Sequence, residues 1–154
     1  MTESIAGAAA LTATLISLAY LHAVPTGLSP VRNAVSQYGI TRYRAGYRAA
    51  TISFGAAGAF LATGVGSALT GRGVNLVVVS LVLFATGRLV ISWFPMDAPG
   101  TALTSTGVAH GLLAIATFGS VATAAFQLSG ALSRDQLHLP PPADSGPCRA
   151  ARLT

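Results

Sequence analysis

Four long apolar stretches, separated by short polar connections, constrain the fold of this sequence more than any other feature. They cover residues 4–24, 48–69, 74–94 and 106–132. Each is close to the ~20 residues that an α-helix needs to cross a bilayer. We therefore predict an all-α fold, a transmembrane bundle of four spans within residues 1–132, with a short interfacial helix after the first span.

The composition agrees with a membrane protein. The chain has 154 residues, of which 52% are hydrophobic and only 8% are charged. Soluble domains carry roughly 25% charged residues, so a water-facing surface cannot be built from this sequence. The net charge of +5 comes from nine arginines, and most of these flank the apolar stretches as membrane anchors do. We expect a multi-pass protein of the cell membrane, with the lipid bilayer as its surroundings and no nucleic-acid partner.

A signal peptide is the competing interpretation of the first stretch. Glu3 is the only charged residue before Arg32. The basic segment that opens a signal peptide is therefore missing, and a membrane span is favoured.

The first connection contains the signals of a short helix. Pro25 and Gly27 interrupt the first helix, and Ser29 followed by Pro30 is a typical helix start. We predict a short interfacial helix over residues 30–38. Tyrosines and arginines alternate from its end, and we interpret them as headgroup anchors: Tyr38, Arg42, Tyr43, Arg44, Tyr47 and Arg48.

Small residues recur along the second stretch, and they predict close packing of helix backbones. They are Ala49, Ser53, Gly55, Ala57, Gly58, Gly64 and Gly66. Gly107 and Gly111 form a GxxxG pair near the start of the fourth stretch, and they carry the same prediction.

Residues 133–154 differ in kind from the rest of the chain. They contain several prolines and charges and no apolar period. We expect a disordered, Pro-rich tail. The single cysteine, Cys148, lies in this tail, so no internal disulfide can form.

Polar residues converge on one end of the predicted bundle, because the first and third connections of four spans share one membrane face. Arg88 and His110 lie inside apolar stretches, and Asp97 is the only acidic residue between Glu3 and Asp135. Polar groups at membrane depth are costly, so they are usually functional or paired. The candidate ligand-binding residues are His22, Asn33, Ser36, Tyr38, Arg88, Asp97 and His110.

Three roles for this cluster stay open. It can be structural, with Arg88 paired to Asp97 or reaching water alone, and His110 bonded to a neighbouring helix. It can bind a small polar ligand or a lipid headgroup. It can also serve a membrane enzyme or redox protein, with His22 and His110 as haem ligands, or with Asp97 as a third metal ligand. No HxxxH, HExxH or GxSxG pattern is present, so neither a metal site nor a serine hydrolase is indicated by spacing.

Four segments together resemble a known family. They are HAVPTGLSPVRNAVSQYG, RYRAGYR, RLVISWFPMDAPG and the TxxGxxH pattern from Thr104 to His110. In order and spacing the chain resembles the bacterial domain of unknown function 998 family over about residues 10–130. The candidate polar residues, Tyr38 apart, match polar positions of that family. The resemblance implies a helical membrane bundle and no particular activity. Members usually have about six spans, whereas the apolar pattern here has four.

Two classes of function follow. The first is a binding or structural membrane protein, and the second is a membrane enzyme or redox protein that uses His22 and His110. The sequence assigns neither a cofactor nor a catalytic residue. A lipid or small-molecule ligand is the expected partner, and a homo-oligomer is compatible with these spans.

Overall fold

A computed structural model of the chain describes residues 2–69 and 73–137, with side chains described up to residue 133. The described part is all-α. The helices are α1 (Thr2–Ala23), α2 (Arg44–Ala68), α3 (Val74–Val90, continued as a 3-10 turn over Ile91–Trp93) and α4 (Ser105–Leu137). All four are long and apolar enough to cross a membrane. The predicted fold class is thereby confirmed.

The helices pack in the order of the chain. The packed pairs are α1 with α2, α2 with α3, and α3 with α4. Within the described residues, α1 and α4 do not form such a pair. The bundle is therefore open on the side between α1 and α4. On that side the surfaces of α2 and α3 are not covered by a contact between α1 and α4.

The small residues of α2 allow this packing where they face α3. A Cβ atom at Gly55 would lie 2.9 Å from the carbonyl oxygen of Ala85. One at Gly58 would lie 2.6 Å from the ring of Phe84. At Gly55 a side chain would push the backbones of α2 and α3 apart, whereas at Gly58 it would displace the ring of Phe84, so both positions favour glycine. For these two glycines the predicted close packing is confirmed.

The GxxxG pair of α4 does not have the predicted role. A Cβ atom at Gly111 would meet nothing within 4 Å, and Gly107 lies beside the carboxylate of Asp97. The close approach of α3 and α4 occurs elsewhere, where Gly87 lies against the side chain of Thr117. The prediction was wrong because residue spacing does not tell which face of a helix meets its neighbour.

The short helix of the first connection lies later in the chain than predicted. It is a 3-10 helix over Val35–Ile40, whereas Pro30 lies in a turn that precedes it. The Oδ1 atom of Asn33 accepts a hydrogen bond from the backbone N–H of Ser29 at 2.7 Å. This bond closes a turn over residues 29–33, and the helix begins only after it, at Val35.

The first and third connections meet at one end of the bundle, which we call the connection end. The hydroxyl of Ser36 donates to the sulfur of Met96 at 3.0 Å. A buried cluster of Leu21, Tyr38 and Tyr47 lies at the same end. A second cluster, of Ala62, Val65, Val77, Leu81 and Ala124, joins α2, α3 and α4 nearer the opposite end.

Two segments are described only in part, and the predicted tail is one of them. Helix α4 continues past residue 132 to Leu137. The rest of the predicted tail, 138–154, lies outside the described residues, so its disorder stays a prediction. Residues 70–72 of the connection between α2 and α3 also lie outside them.

Candidate functional site

A cavity of about 520 Å³ opens at the connection end between α1 and α4. We call it the upper cavity. Its polar lining consists of Thr14, Ser36, Tyr47, Thr51, Arg88 and His110, and the rest of its lining is apolar. Three of these residues, Ser36, Arg88 and His110, belong to the set predicted from the sequence.

Arg88 is the cation of this cavity, and it stands near the last turn of α3. Its guanidinium carbon lies 5.3 Å from the centre of the Phe54 ring. The Nε atom is buried without a hydrogen-bond partner. No Asp or Glu lines the upper cavity. Among the residues that the structure describes, Arg88 therefore has aromatic and phenolic neighbours but no counter-ion.

His110 enters the same cavity from the first turns of α4, and only 7% of its surface is exposed. Its Nδ1 atom lies 2.7 Å from the backbone carbonyl oxygen of Phe94. A carbonyl only accepts, so Nδ1 carries the proton. The Nε2 atom makes no hydrogen bond to a described residue, and it is the nitrogen left to meet a ligand.

Tyr47 was missed by the sequence analysis. It was interpreted as an exposed headgroup anchor, but only 4% of its surface is exposed, and it lines the upper cavity. Gly39 leaves room for the Tyr47 ring, because a Cβ atom at residue 39 would lie 2.9 Å from that ring. The Tyr47 side chain therefore lines the same cavity as Arg88. Its signal in the sequence was its register: Tyr47, Thr51 and Phe54 follow at helical spacing.

The hydroxyl of Ser36 reaches Met96 and so ties the two connections together beside the cavity. Thr14 and Thr51 add polar groups from α1 and α2, but each bonds a backbone carbonyl of its own helix. Thr14 also shares a hydrogen bond of 2.9 Å with Ser53. The hydroxyl protons of these threonines are therefore already used, and the two side chains mainly determine the shape of the cavity.

Asp97 does not pair with Arg88. Its carboxylate accepts hydrogen bonds from the backbone N–H of Thr104 at 2.9 Å and from the hydroxyl of Thr104 at 2.7 Å. These bonds lower the pKa of Asp97, the side-chain bond most. The ion pair with Arg88, one of the two structural alternatives, is not formed because the turn after Phe94 directs the carboxylate towards the start of α4. Thr104 caps that helix, since its hydroxyl accepts a hydrogen bond from the backbone N–H of Gly107 at 3.1 Å, and Asp97 holds Thr104 in place.

His22, Asn33 and Tyr38 lie at the connection end but do not line the upper cavity. The exposed ring of His22 packs against Tyr38 with 5.7 Å between ring centres. Tyr38 is buried, and its hydroxyl has no hydrogen-bond partner among the described residues. Asn33 donates to the side chain of Gln37 at 2.7 Å. These three residues shape the first connection.

The metal and haem hypotheses gain no support from this geometry. Among the described residues, no group of three or more His, Cys, Asp and Glu side chains is assembled as a metal site. His110 lines the upper cavity, whereas His22 packs outside it against Tyr38. The carboxylate of Asp97, the third metal ligand of that hypothesis, accepts a hydrogen bond from Thr104 instead.

Comparison with protein families matches residues 5–143 to the family described as "Protein of unknown function (DUF998)". The chain belongs to the DUF998 family. No curated protein and no solved structure matches it. For this DUF998 protein, the argument about function therefore rests on the residues of the upper cavity.

Proposed function

We propose that this DUF998 protein is a multi-pass protein of the cell membrane that binds an anionic group, that of a small polar ligand or a lipid headgroup, in the upper cavity. The observation that carries the proposal is Arg88. Its guanidinium faces a cavity of about 520 Å³ without a carboxylate to neutralise it.

The physical reason is the cost of an unpaired charge in a poorly solvated place. Arg88 is half-buried and its Nε atom is fully buried, so part of the cost of an unpaired buried charge applies to it. The contact with Phe54 offsets about 0.5–2 kcal/mol of this cost. An anion in the cavity would supply the missing partner. Arginine suits phosphate and carboxylate because it donates two parallel hydrogen bonds to them.

The other polar groups of the upper cavity fit such a ligand. Tyr47 supplies a phenol to the cavity that Arg88 lines, and His110 supplies a ring nitrogen that makes no hydrogen bond within the described chain. A purely structural role would pair these groups with one another. A membrane enzyme or redox protein would need His22 beside His110, and the two occupy different surroundings.

The test uses the full chain purified in a mild detergent and titrated with glycerol phosphate, a water-soluble headgroup analogue. A ligand at 100 times its dissociation constant stabilises the folded state by about 2.7 kcal/mol. We expect a dose-dependent rise in melting temperature for the natural sequence. Arg88→Gln should abolish the rise, and Arg88→Lys should keep part of it.

Arg42→Gln is the matched control, because it removes one arginine whose side chain is exposed and packs on Tyr43 outside the cavity. It should leave the titration unchanged. Equal stabilisation of the Arg88→Gln and natural proteins by glycerol phosphate would overturn the proposal. The proposal would also be overturned if none of three anions, glycerol phosphate, glycerate and an anionic lipid, stabilised the natural protein.

A further inference from the structure

A second cavity, of about 400 Å³, continues from the upper cavity towards the opposite membrane face. We call it the lower cavity. Leu11 of α1 and Phe54 of α2 line both cavities. Both lie between α1 and α4 on the side where these two helices are not packed together, against α2 and α3. The two cavities therefore adjoin each other at Leu11 and Phe54, and we call them together the groove.

The groove is polar at one end and apolar along most of its length. Apart from Glu3 and Ser4 at the start of α1, the walls of the lower cavity are apolar or glycine, with Ala57, Leu81 and Val121 among them. Its charged residues lie apart, Arg88 in the upper cavity and Glu3 at the start of α1. An amphipathic anion fits this pattern in one orientation only, with its charge at Arg88.

The distance from Arg88 to the lower cavity wall at Gly64 matches one leaflet of a bilayer. Gly55 lies against Leu89, the residue after Arg88, and Gly64 lines the lower cavity. Nine helical steps of 1.5 Å separate these two glycines by about 14 Å. A leaflet contributes half of a hydrocarbon core of ~30 Å, or about 15 Å. An acyl chain that starts near Arg88 therefore ends near Gly64.

We infer that the groove holds an acyl chain of an anionic phospholipid whose phosphate group binds Arg88. This inference rests on the proposed function and names its ligand as a lipid. Charge complementarity favours a lipid over a helix of a second copy. A transmembrane helix is ~10 Å across and ~30 Å long, far larger than either cavity, and it would bring no anion to Arg88.

Gly64 offers a substitution that separates the chain from the headgroup. It lines the lower cavity, and a Cβ atom there would meet nothing within 4 Å. Gly64→Phe should therefore fill the lower cavity without disturbing the helix packing. Gly119→Phe is the matched control, because its Cβ would also meet nothing within 4 Å and it lines neither cavity.

The experiment measures lipid binding by native mass spectrometry on the full chain in detergent. The probes are long-chain phosphatidylglycerol, dihexanoyl phosphatidylglycerol, long-chain diacylglycerol and inorganic phosphate. For the natural sequence we expect long-chain phosphatidylglycerol to bind at least about tenfold more tightly than diacylglycerol, which lacks the charge, since tenfold corresponds to one good charge-assisted contact. Inorganic phosphate should bind more weakly than either phosphatidylglycerol.

Gly64→Phe should lower the affinity for the long-chain lipid at least about fivefold, because the phenyl ring would occupy the space of the acyl chain and remove its van der Waals contacts, which drive association in an apolar solvent. It should leave the dihexanoyl lipid unaffected, and Gly119→Phe should change neither. Arg88→Gln should weaken both phosphatidylglycerols.

Two results would overturn the inference while leaving the proposed function intact. One is inorganic phosphate binding as tightly as the long-chain lipid, with Gly64→Phe silent for all probes. The other is a dimer that Gly64→Phe dissociates, with no chain-length effect, which would make the groove an interface between copies. Loss of discrimination between phosphatidylglycerol and diacylglycerol would overturn both proposals.

Discussion

The Nδ1 atom of His110 lies 2.7 Å from the carbonyl oxygen of Phe94, and this contact joins the start of α4 to the end of the α3 segment. The carbonyl follows the last turn of α3, where no further residue of that helix can satisfy it. His110 therefore has a structural bond on one nitrogen and a cavity-lining position for the rest of its ring.

His110→Ala should lower stability by roughly 1–3 kcal/mol, because the carbonyl of Phe94 would lose its partner. His22→Ala, which removes an exposed histidine that packs on Tyr38, should cost less than about 1 kcal/mol. Thermal unfolding in detergent compares the two variants. Equal losses would contradict the bond between His110 and Phe94.

Asp97 and Gly107 should behave as a coupled pair. A Cβ atom at Gly107 would collide with the Asp97 carboxylate. Gly107→Ala should therefore lower the melting temperature, and it should cost less in an Asp97→Ala background, where the colliding group is gone. Additive effects in the double variant would exclude this arrangement.

The same carboxylate gives a pH dependence. Hydrogen bonds from Thr104 hold the pKa of Asp97 below its usual value of 3.8. The folded pKa lies below the unfolded one, so the contribution to stability is present above pH 3.8 and is lost as the pH falls through the folded value. The melting temperature of the natural protein should approach that of Asp97→Asn only in this acidic range. A difference that disappears already at neutral pH would contradict the hydrogen bonds between Thr104 and Asp97.

Two glycines of α2 should respond in opposite ways to alanine. Gly55→Ala would place a methyl group 2.9 Å from the Ala85 carbonyl oxygen, and overpacking of this kind costs roughly 1–3 kcal/mol. Gly64→Ala meets open space and should be neutral or stabilising by up to about 1 kcal/mol, because alanine favours the helix. Unfolding of both variants in detergent tests the prediction. An equal response at the two positions would contradict the packing of α2 on α3.

Residue patterns predicted the spans and three residues of the upper cavity, because the length and position of apolar runs fix where Arg88 and His110 lie along their helices. They did not predict partners. Arg88 and Asp97 are close in sequence and opposite in charge, yet the turn after Phe94 places the carboxylate where it accepts hydrogen bonds from Thr104. Tyr47 was missed because a tyrosine near a helix end looks the same in sequence whether it faces headgroups or the bundle interior.

The proposed multi-pass topology is tested by single cysteines in a Cys148→Ser background. Val31→Cys and Thr101→Cys lie in the first and third connections, where both residues are exposed. They should react alike with a membrane-impermeant thiol reagent in whole cells, and Asn75→Cys, at the start of α3, should give the opposite result. Different accessibility of positions 31 and 101 would contradict four membrane-spanning helices.

The central claim is that Arg88 binds the phosphate of a lipid, and a solid-state NMR measurement of phosphorus–nitrogen proximity tests it most directly. The full chain, with nitrogen-labelled arginine, is reconstituted in bilayers that contain phosphatidylglycerol. We predict phosphorus dephasing of an arginine side-chain signal that disappears in Arg88→Gln and persists in Arg42→Gln. Dephasing that is unchanged in Arg88→Gln would show that only the exposed interfacial arginines contact lipid phosphate, and it would contradict the account.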